Sequence, residues 1–332
     1  RERMGQHASA ILDYTQAIGL DPCLAQAYER RGAAYASLGE FARALQDLDE
    51  SIRIDTNSSS AYVNRGAAFE AMGQNQRALA DFSRAITLDP QFANAYVRRG
   101  ASYEISGELE RAIQEYGEAI RIDPNNAQAH FFRGRTFIRQ RQFERALADL
   151  NQTLRLDPRD AKAHQSRAAV FAATGDHARS IEDYSAAIRF DSQYALAYQG
   201  RGDAYARTGQ PGRALQDYTE LIRLNPKNAY AYYSRGLVLA GTGDHPRAIE
   251  DLDQAIERKP DFALAFRHRG MSQKKLGRLE RAVADFEAAI RLDELDVWPG
   301  AARGTARRPD AITHPNLRGA PATFDWAPCS AS

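Results

Sequence analysis

Residues 93–126 read ANAYVRRGASYEISGELERAIQEYGEAIRIDPNN, and this stretch decides the fold. Tyr96, Gly100 and Tyr103 are spaced by four and three, which puts them on one face of a helix. Gly107 supplies the left-handed residue that commonly closes such a helix. A second amphipathic run starts near Glu108, with Ala112, Tyr116, Ala119 and Ile120 on one face. Asp123-Pro124 stops it, because proline has no amide N–H and restricts the residue before it. Asn125 or Asn126 then caps the next helix. Gly100 and Ala112 fall near the middles of the two runs, so the axes can approach closely while the aromatics fill the flanks.

The pattern recurs. ANAYVRRGASY (93–103) returns as ALAYQGRGDAY (195–205), three periods of 34 residues later. Arg-Gly stands at Arg31-Gly32, Arg65-Gly66, Arg99-Gly100, Arg133-Gly134, Arg201-Gly202, Arg235-Gly236 and Arg269-Gly270, with Arg167-Ala168 as the one altered copy. Eight units therefore fill 25–296, as 25–58, 59–92, 93–126, 127–160, 161–194, 195–228, 229–262 and 263–296. Residues 1–24 carry the second helix of a truncated unit, marked by Ala10, Tyr14, Ala17-Ile18 and Asp21-Pro22. Residues 297–332 follow no period and are rich in Pro, Gly, Ala and Arg, which predicts a disordered tail. Its Trp298 is placed to cover the end of the last helix pair, and Trp326 is a candidate docking residue. One hairpin cannot bury its apolar face alone, whereas stacked copies share a continuous core. Pro211 and Pro246 fall in the first turn of second helices, where proline is tolerated. The expectation is an all-α solenoid of antiparallel helix pairs, in place of the two ordinary domains that length alone suggests.

Composition narrows the function. With 43% hydrophobic and 26% charged residues the chain is neither disordered nor membrane-embedded overall. No uncharged apolar stretch approaches the roughly 18 residues of a membrane span. Forty-four Lys plus Arg against 43 Asp plus Glu leave +1, which argues against a nucleic-acid binder. Cys23 and Cys329 make neither a disulfide framework nor a zinc site. The helical pattern already under way at Arg1 predicts a fragment or a processed product, so the absence of a leader says nothing and the cytoplasm is only a default. Neither end carries the polar cap that arrays usually need, which predicts truncation or self-association there.

Tyr96, Arg99-Gly100, Tyr103, Ala112, Tyr116, Ala119 and Pro124 stand in the order of the tetratricopeptide (TPR) repeat, and the chain resembles that family over about nine tenths of its length. The resemblance implies a right-handed superhelix whose first helices line a concave groove for a peptide or helix of another protein. Departures are few. Arg replaces the usual Leu before Gly, Arg141 takes the turn glycine's slot, Thr56, Ser192 and Glu294 replace the terminal proline, and Gln273 takes an aromatic slot. The Lys and Asn pair with which some members grip an acidic chain terminus is missing: those sites read Glu29/Ala33, Val63/Ala67 and Val97/Ala101. The groove asparagine ladder of other members is missing too, with only Asn64 in place.

An ionic repeat runs beside the apolar one. Arg31, Arg65, Arg99, Arg133, Arg167, Arg201, Arg235 and Arg269 each have an acid in the second helix of their unit: Asp47, Asp81, Glu115, Asp149, Asp183, Asp217, Asp251 and Asp285. In an antiparallel pair the two positions lie at similar height, which predicts structural ion pairs such as Arg99 with Glu115, Arg133 with Asp149 and Arg201 with Asp217, within or between units. The plain alternative is solvated charge worth ~0–1 kcal/mol per pair.

No catalytic, phosphate-binding or metal motif appears, and no cofactor is expected. His130 and His164 occupy the first-helix aromatic slot of adjacent units, short of a coordination shell; His177 and His245 open second helices and are expected to be exposed. Groove candidates are Asn64, Asn94, Arg98, Arg135, Arg139, Arg207, Tyr233 and Lys274, with Lys162, Arg267 and Lys275 alongside. Cations outnumber the acids Glu29, Glu70, Glu104 and Asp203 on these helices, which favours an acidic segment or a peptide carboxylate. The leading expectation is a non-catalytic protein-binding scaffold. The alternative is the recognition arm of a larger enzyme, such as a sugar transferase.

Overall fold

The computed structural model describes residues 2–297, with side chains described from His7 to Leu292. The expected tail, with Trp298, Trp326 and Cys329, lies outside the described residues apart from Val297. Among the described residues the chain forms seventeen α-helices and no strand. A first helix, α1 (Glu2–Leu20), is followed by eight pairs: α2 (Ala25–Ser37) with α3 (Phe41–Ile54), α4 (Ser59–Ala71) with α5 (Asn75–Leu88), α6 (Ala93–Ile105) with α7 (Leu109–Ile122), and α8 (Ala127–Arg139) with α9 (Phe143–Leu156). The array continues with α10 (Ala161–Ala173) and α11 (His177–Phe190), α12 (Ala195–Arg207) and α13 (Pro211–Leu224), α14 (Ala229–Gly241) and α15 (His245–Arg258), and α16 (Ala263–Lys275) and α17 (Leu279–Val297). Each helix packs on the next, and each first helix also touches the first helices of the neighbouring units, from α2 on α4 to α14 on α16. The result is an all-helical solenoid.

The turns follow the sequence, with one addition. Gly39, Gly73, Gly107, Gly175, Gly209, Gly243 and Gly277 close the first helices with φ between 71° and 87°. Asn126 caps α8 by accepting from the Ala129 N–H. Proline is not needed at every stop, since α3 and α11 end at Ile54 and Phe190 with Thr56 and Ser192 in its place. It still matters: α15 stops at Arg258 ahead of Lys259-Pro260, and α17, with Glu294 in the proline slot, runs on to Val297. In most units the residue before the proline slot adds a second device. Asp55, Asp89, Asp123, Asp157 and Asp191 leave helical geometry, and each carboxylate accepts from the backbone N–H two residues on, at 2.9–3.1 Å. This Asx turn gives the chain a local alternative to the next helical bond.

Arg141 adopts the glycine conformation, with φ 58°, and is exposed. A left-handed non-glycine residue costs roughly 1–2 kcal/mol, partly offset by the greater unfolded freedom of glycine. Arg141→Gly is therefore expected to stabilise the array by about 0.5–1 kcal/mol. A lowered urea midpoint would contradict this.

The core is a file of small clusters, one at each unit boundary from the second unit to the eighth. Val97, Ala112, Tyr116, Ala119 and Ala129 form one, which joins the third unit to the fourth. The Arg-Gly glycine is needed for contact: a Cβ on Gly100 would stand 2.7 Å from Tyr116 Cε1, and one on Gly66 2.6 Å from Phe82 Cε1. At the two ends the same apolar positions lie open. Leu279, Val283 and Ile290 of α17 are more than half exposed, whereas Ile249, the counterpart of Val283 one unit earlier, is buried. On α1, Leu12 and Leu20 are exposed.

Candidate binding groove

The arginine of each Arg-Gly pair lies in the seam between its own two helices. Arg133 Nε and Nη2 donate to the two carboxylate oxygens of Asp149, each at 2.8 Å. The same fork joins Arg31 to Asp47, Arg65 to Asp81, Arg99 to Glu115, Arg167 to Asp183, Arg201 to Asp217, Arg235 to Asp251 and Arg269 to Asp285. The aspartates are buried, and the arginines keep about a fifth of their side chains in water. The geometry is bidentate and lies within the unit.

A second tie was not read from the sequence. The remaining Nη1 donates backward, to a side chain 16 residues earlier on the second helix of the preceding unit: Thr15, Asp49, Ser83, Asn151, Ser185, Thr219 or Asp253. Each arginine thereby staples two units together. The signal was available as a short polar residue at one fixed position per unit. The exception is Gly117, where a Cβ would stand 3.7 Å from Arg133 Nη1. Gly117→Ser is expected to stabilise by about 1–2 kcal/mol, combining helix propensity with one hydrogen bond. Thermal unfolding of the variant checks it; an unchanged midpoint removes the staple as an energetic term.

The histidines of the aromatic slot turn to the same seam, not to each other. His130 Nδ1 is 2.9 Å from Asp149 and Nε2 is 3.2 Å from the Pro124 carbonyl; His164 repeats this with Asp183 and Pro158, at 3.1 Å each. No metal-binding cluster of His, Cys, Asp or Glu occurs among the described residues. His177 and His245 are half-buried, not exposed, and the Nδ1 of each is enclosed at the start of its helix. Burial pushes the Asp183 carboxyl up, but hydrogen bonds from Arg167 and His164 outweigh it and hold the group below its usual range. Its pair therefore contributes fully above the unfolded carboxylate pKa of about 4 and is lost as pH falls through the lower folded value. Glu115 moves the other way, because burial outweighs Arg99.

The first helices α2 to α16 line one face of the solenoid, and their acids bond mostly across units. Glu29 is buried and accepts from Ser60 Oγ at 2.9 Å and Asn64 Nδ2 at 3.0 Å. Glu70 lies 3.9 Å from Arg98, and burial raises its carboxyl despite that cation. Glu104 accepts from the Tyr116 hydroxyl at 3.2 Å and from Arg139 at 3.2 Å, with Arg135 at 3.9 Å. Asp203 accepts from the Tyr218 hydroxyl at 2.6 Å. Burial raises the Asp203 carboxyl, and the positive charge of Arg207 counters this in part.

The groove candidates thus divide. Asn64, Arg98, Arg135 and Arg139 face carboxylates of the preceding unit. Tyr233 lies 3.3 Å from His268 Nδ1. Asn94, Arg207 and Lys274 are exposed, as are Lys162 and Lys275.

Family models described as tetratricopeptide repeats match residues 1–59, 59–92, 105–141, 133–195, 200–263 and 239–297. The chain belongs to the tetratricopeptide repeat family. Proteins with TPR arrays are typically interaction scaffolds without catalysis of their own, and they bind proteins or peptides. No curated protein sequence matches this TPR chain. Among solved structures it is similar to Cut9 in the APC/C hetero-tetramer Cut9-Hcn1, at TM-score 0.63 and 18% identity, over 80% of this chain and 52% of that one. The chain thus spans about half the length of that relative. It is also similar to PilF of Pseudomonas aeruginosa, at 0.59 and 18% over 67% and 99% of the two chains. A TPR protein of Parabacteroides merdae gives 0.54 and 19% over 75% and 98%. At these identities the likeness concerns the fold. No described helix is long and apolar enough to cross a membrane.

Proposed function

We propose that this TPR array is a non-catalytic scaffold that holds a peptide or helical segment of another protein in the groove lined by α2, α4, α6, α8, α10, α12, α14 and α16. One observation carries the reading. Carboxylates on the lining helices are bonded by neighbouring helices of the array, as Glu29 by Ser60 and Asn64 and Glu104 by Arg139. The wall is therefore fixed before a ligand arrives, which lowers the ordering cost of binding.

The test is backbone hydrogen exchange on the full chain with peptides selected from a random library. Bound peptide is expected to slow exchange in the first helices. Protection confined to the second helices sinks the proposal.

A further inference from the structure

The two halves of the groove differ in chemistry. The second residue of the lining helices is polar in the first five units, as Gln26, Ser60, Asn94, Gln128 and Lys162. In the last three it is Leu196, Tyr230 and Leu264, exposed by 45%, 50% and 44%. These side chains form a row, one per helix, along one edge, where Lys259 Nζ donates to the Tyr230 hydroxyl at 2.9 Å. The opposite edge is set by the helix ends, where exposed Arg207, Lys274 and Lys275 stand. Helices α10, α12, α14 and α16 contain a single acid, Asp203, and the Tyr218 hydroxyl already donates to it. Along α12, α14 and α16 one edge is therefore largely apolar and the other cationic, with Asp203, one turn before Arg207, as the single acid.

The floor between the edges holds a second, independent signal. Tyr184 is buried to 5% exposure, and its hydroxyl has no hydrogen-bond partner among the described residues. Its counterparts are satisfied: Tyr116 donates to Glu104 and Tyr218 to Asp203. In the fifth unit the positions equivalent to those acids are Ala172 and Ala169. The Tyr184 ring end passes over Gly200, where an added Cβ would stand 2.2 Å from Cζ and 2.5 Å from the hydroxyl oxygen. Leu196, Gly200, Asp203 and Arg207 are spaced by four, three and four, and so share one face of α12. The hydroxyl emerges on that face, between the apolar row and the cations. A tyrosine hydroxyl so placed offers a donor that protein does not use and that still reaches solvent on the groove face.

We infer that the groove of the last three units, with Tyr184 of the fifth unit at its border, takes a peptide segment with apolar side chains on one side and carboxylates on the other, and that Tyr184 donates to an acceptor oxygen of that segment. The inference rests on the groove reading above and narrows it to one ligand chemistry and one half of the array. Leu196, Tyr230 and Leu264 receive the apolar side. Arg207, Lys274 and Lys275 meet the carboxylates, whose attraction steers the encounter and weakens with salt.

The experiment selects short random peptides on the full chain and then measures fluorescence anisotropy with three synthetic probes: leucine with glutamate, leucine with lysine, and serine with glutamate. The leucine–glutamate probe is expected to bind, and the other two to bind at least about ten-fold more weakly. The double change Leu196→Ser with Leu264→Ser, and the double change Lys274→Glu with Lys275→Glu, should each weaken it by about ten-fold. Tyr184→Phe deletes only an unbonded hydroxyl. It should leave thermal stability unchanged and weaken binding by about five-fold. Glu118→Ala, on an exposed position of the second helix α7, is the control and should change nothing; Asn94→Asp reports on the polar half. Selected peptides of another composition, or binding lost through Asn94→Asp and not through the other variants, would overturn the inference and leave the groove reading intact. A selection that enriches no peptide overturns both.

Discussion

Asp149→Ala is expected to lower the free energy of unfolding by about 3 kcal/mol, among the largest losses from a single polar change in the array. Asp149 is 4% exposed and accepts from Arg133 Nε, Arg133 Nη2 and His130. Removing it strands a guanidinium and an imidazole in the seam. Stranding a buried partner costs roughly 3–5 kcal/mol, and the lower end applies because Arg133 keeps 25% of its side chain in water. The comparison is Glu118→Ala, which breaks the exposed pair with Arg121 and should cost under about 0.5 kcal/mol. Urea unfolding followed by circular dichroism separates the two. A loss below about 1 kcal/mol at Asp149 would class the seam pair with surface pairs.

The array's linear construction decides how that loss is felt. Each unit contacts its neighbours only, so stability is nearly a sum of unit and interface terms. A break in the fourth unit should uncouple the units on either side, and hydrogen exchange should rise first in α8 and α9. The missing staple at Gly117 makes this boundary weaker already, since Arg133 there lacks the backward tie that seven other arginines make. Gly117→Ser in the Asp149→Ala background should therefore restore little, because the arginine it would bond has lost its anchor.

The helix pairs were legible because they rest on local rules repeated eight times. Gly107 closing α6 and Ala112 against Gly100 need only period and residue size. The seam pairs were legible as a spacing, since Arg133 and Asp149 are brought level by any antiparallel hairpin. The backward staple was harder, because Thr15, Asp49, Ser83 and Asn151 share only shortness and polarity. The helix stop at Asp123-Pro124 was legible, but the Asx bond that Asp123 adds beside the proline was not read. The groove was least legible. Arg98, Arg135 and Arg139 read as cations awaiting a ligand, but reach Glu70 and Glu104 once units stack. Sequence alone cannot say which charges a superhelix brings within reach across 30 or more residues.

Gly200→Ala is the other change expected to be severe, and the reason lies in the single altered Arg-Gly pair. In the other aromatic units the ring leans on its own first helix, where the glycine leaves room: a Cβ on Gly66, Gly100, Gly202 or Gly270 would stand 2.6–2.9 Å from it. The fifth unit has Ala168, fully buried and packed with Tyr184. A real methyl there pushes the ring toward the next unit. Gly200 has opened the space, at a position where the other units carry Arg30, Asn64, Arg98, Phe132, Ser166, Ser234 and His268. A methyl at Gly200 meets Tyr184 Cζ at 2.2 Å, and overpacking of this kind costs about 1–3 kcal/mol against a helix-propensity gain of about 1. Because the contact is far inside van der Waals range, the net loss should be about 2 kcal/mol. Ala168→Gly alone should cost about 1 kcal/mol through propensity. Together they should cost less than the sum, because the ring can return to its own helix, with a coupling of about 1–2 kcal/mol. Additive losses in this double-mutant cycle would mean that Ala168 and Gly200 do not compensate one another through Tyr184.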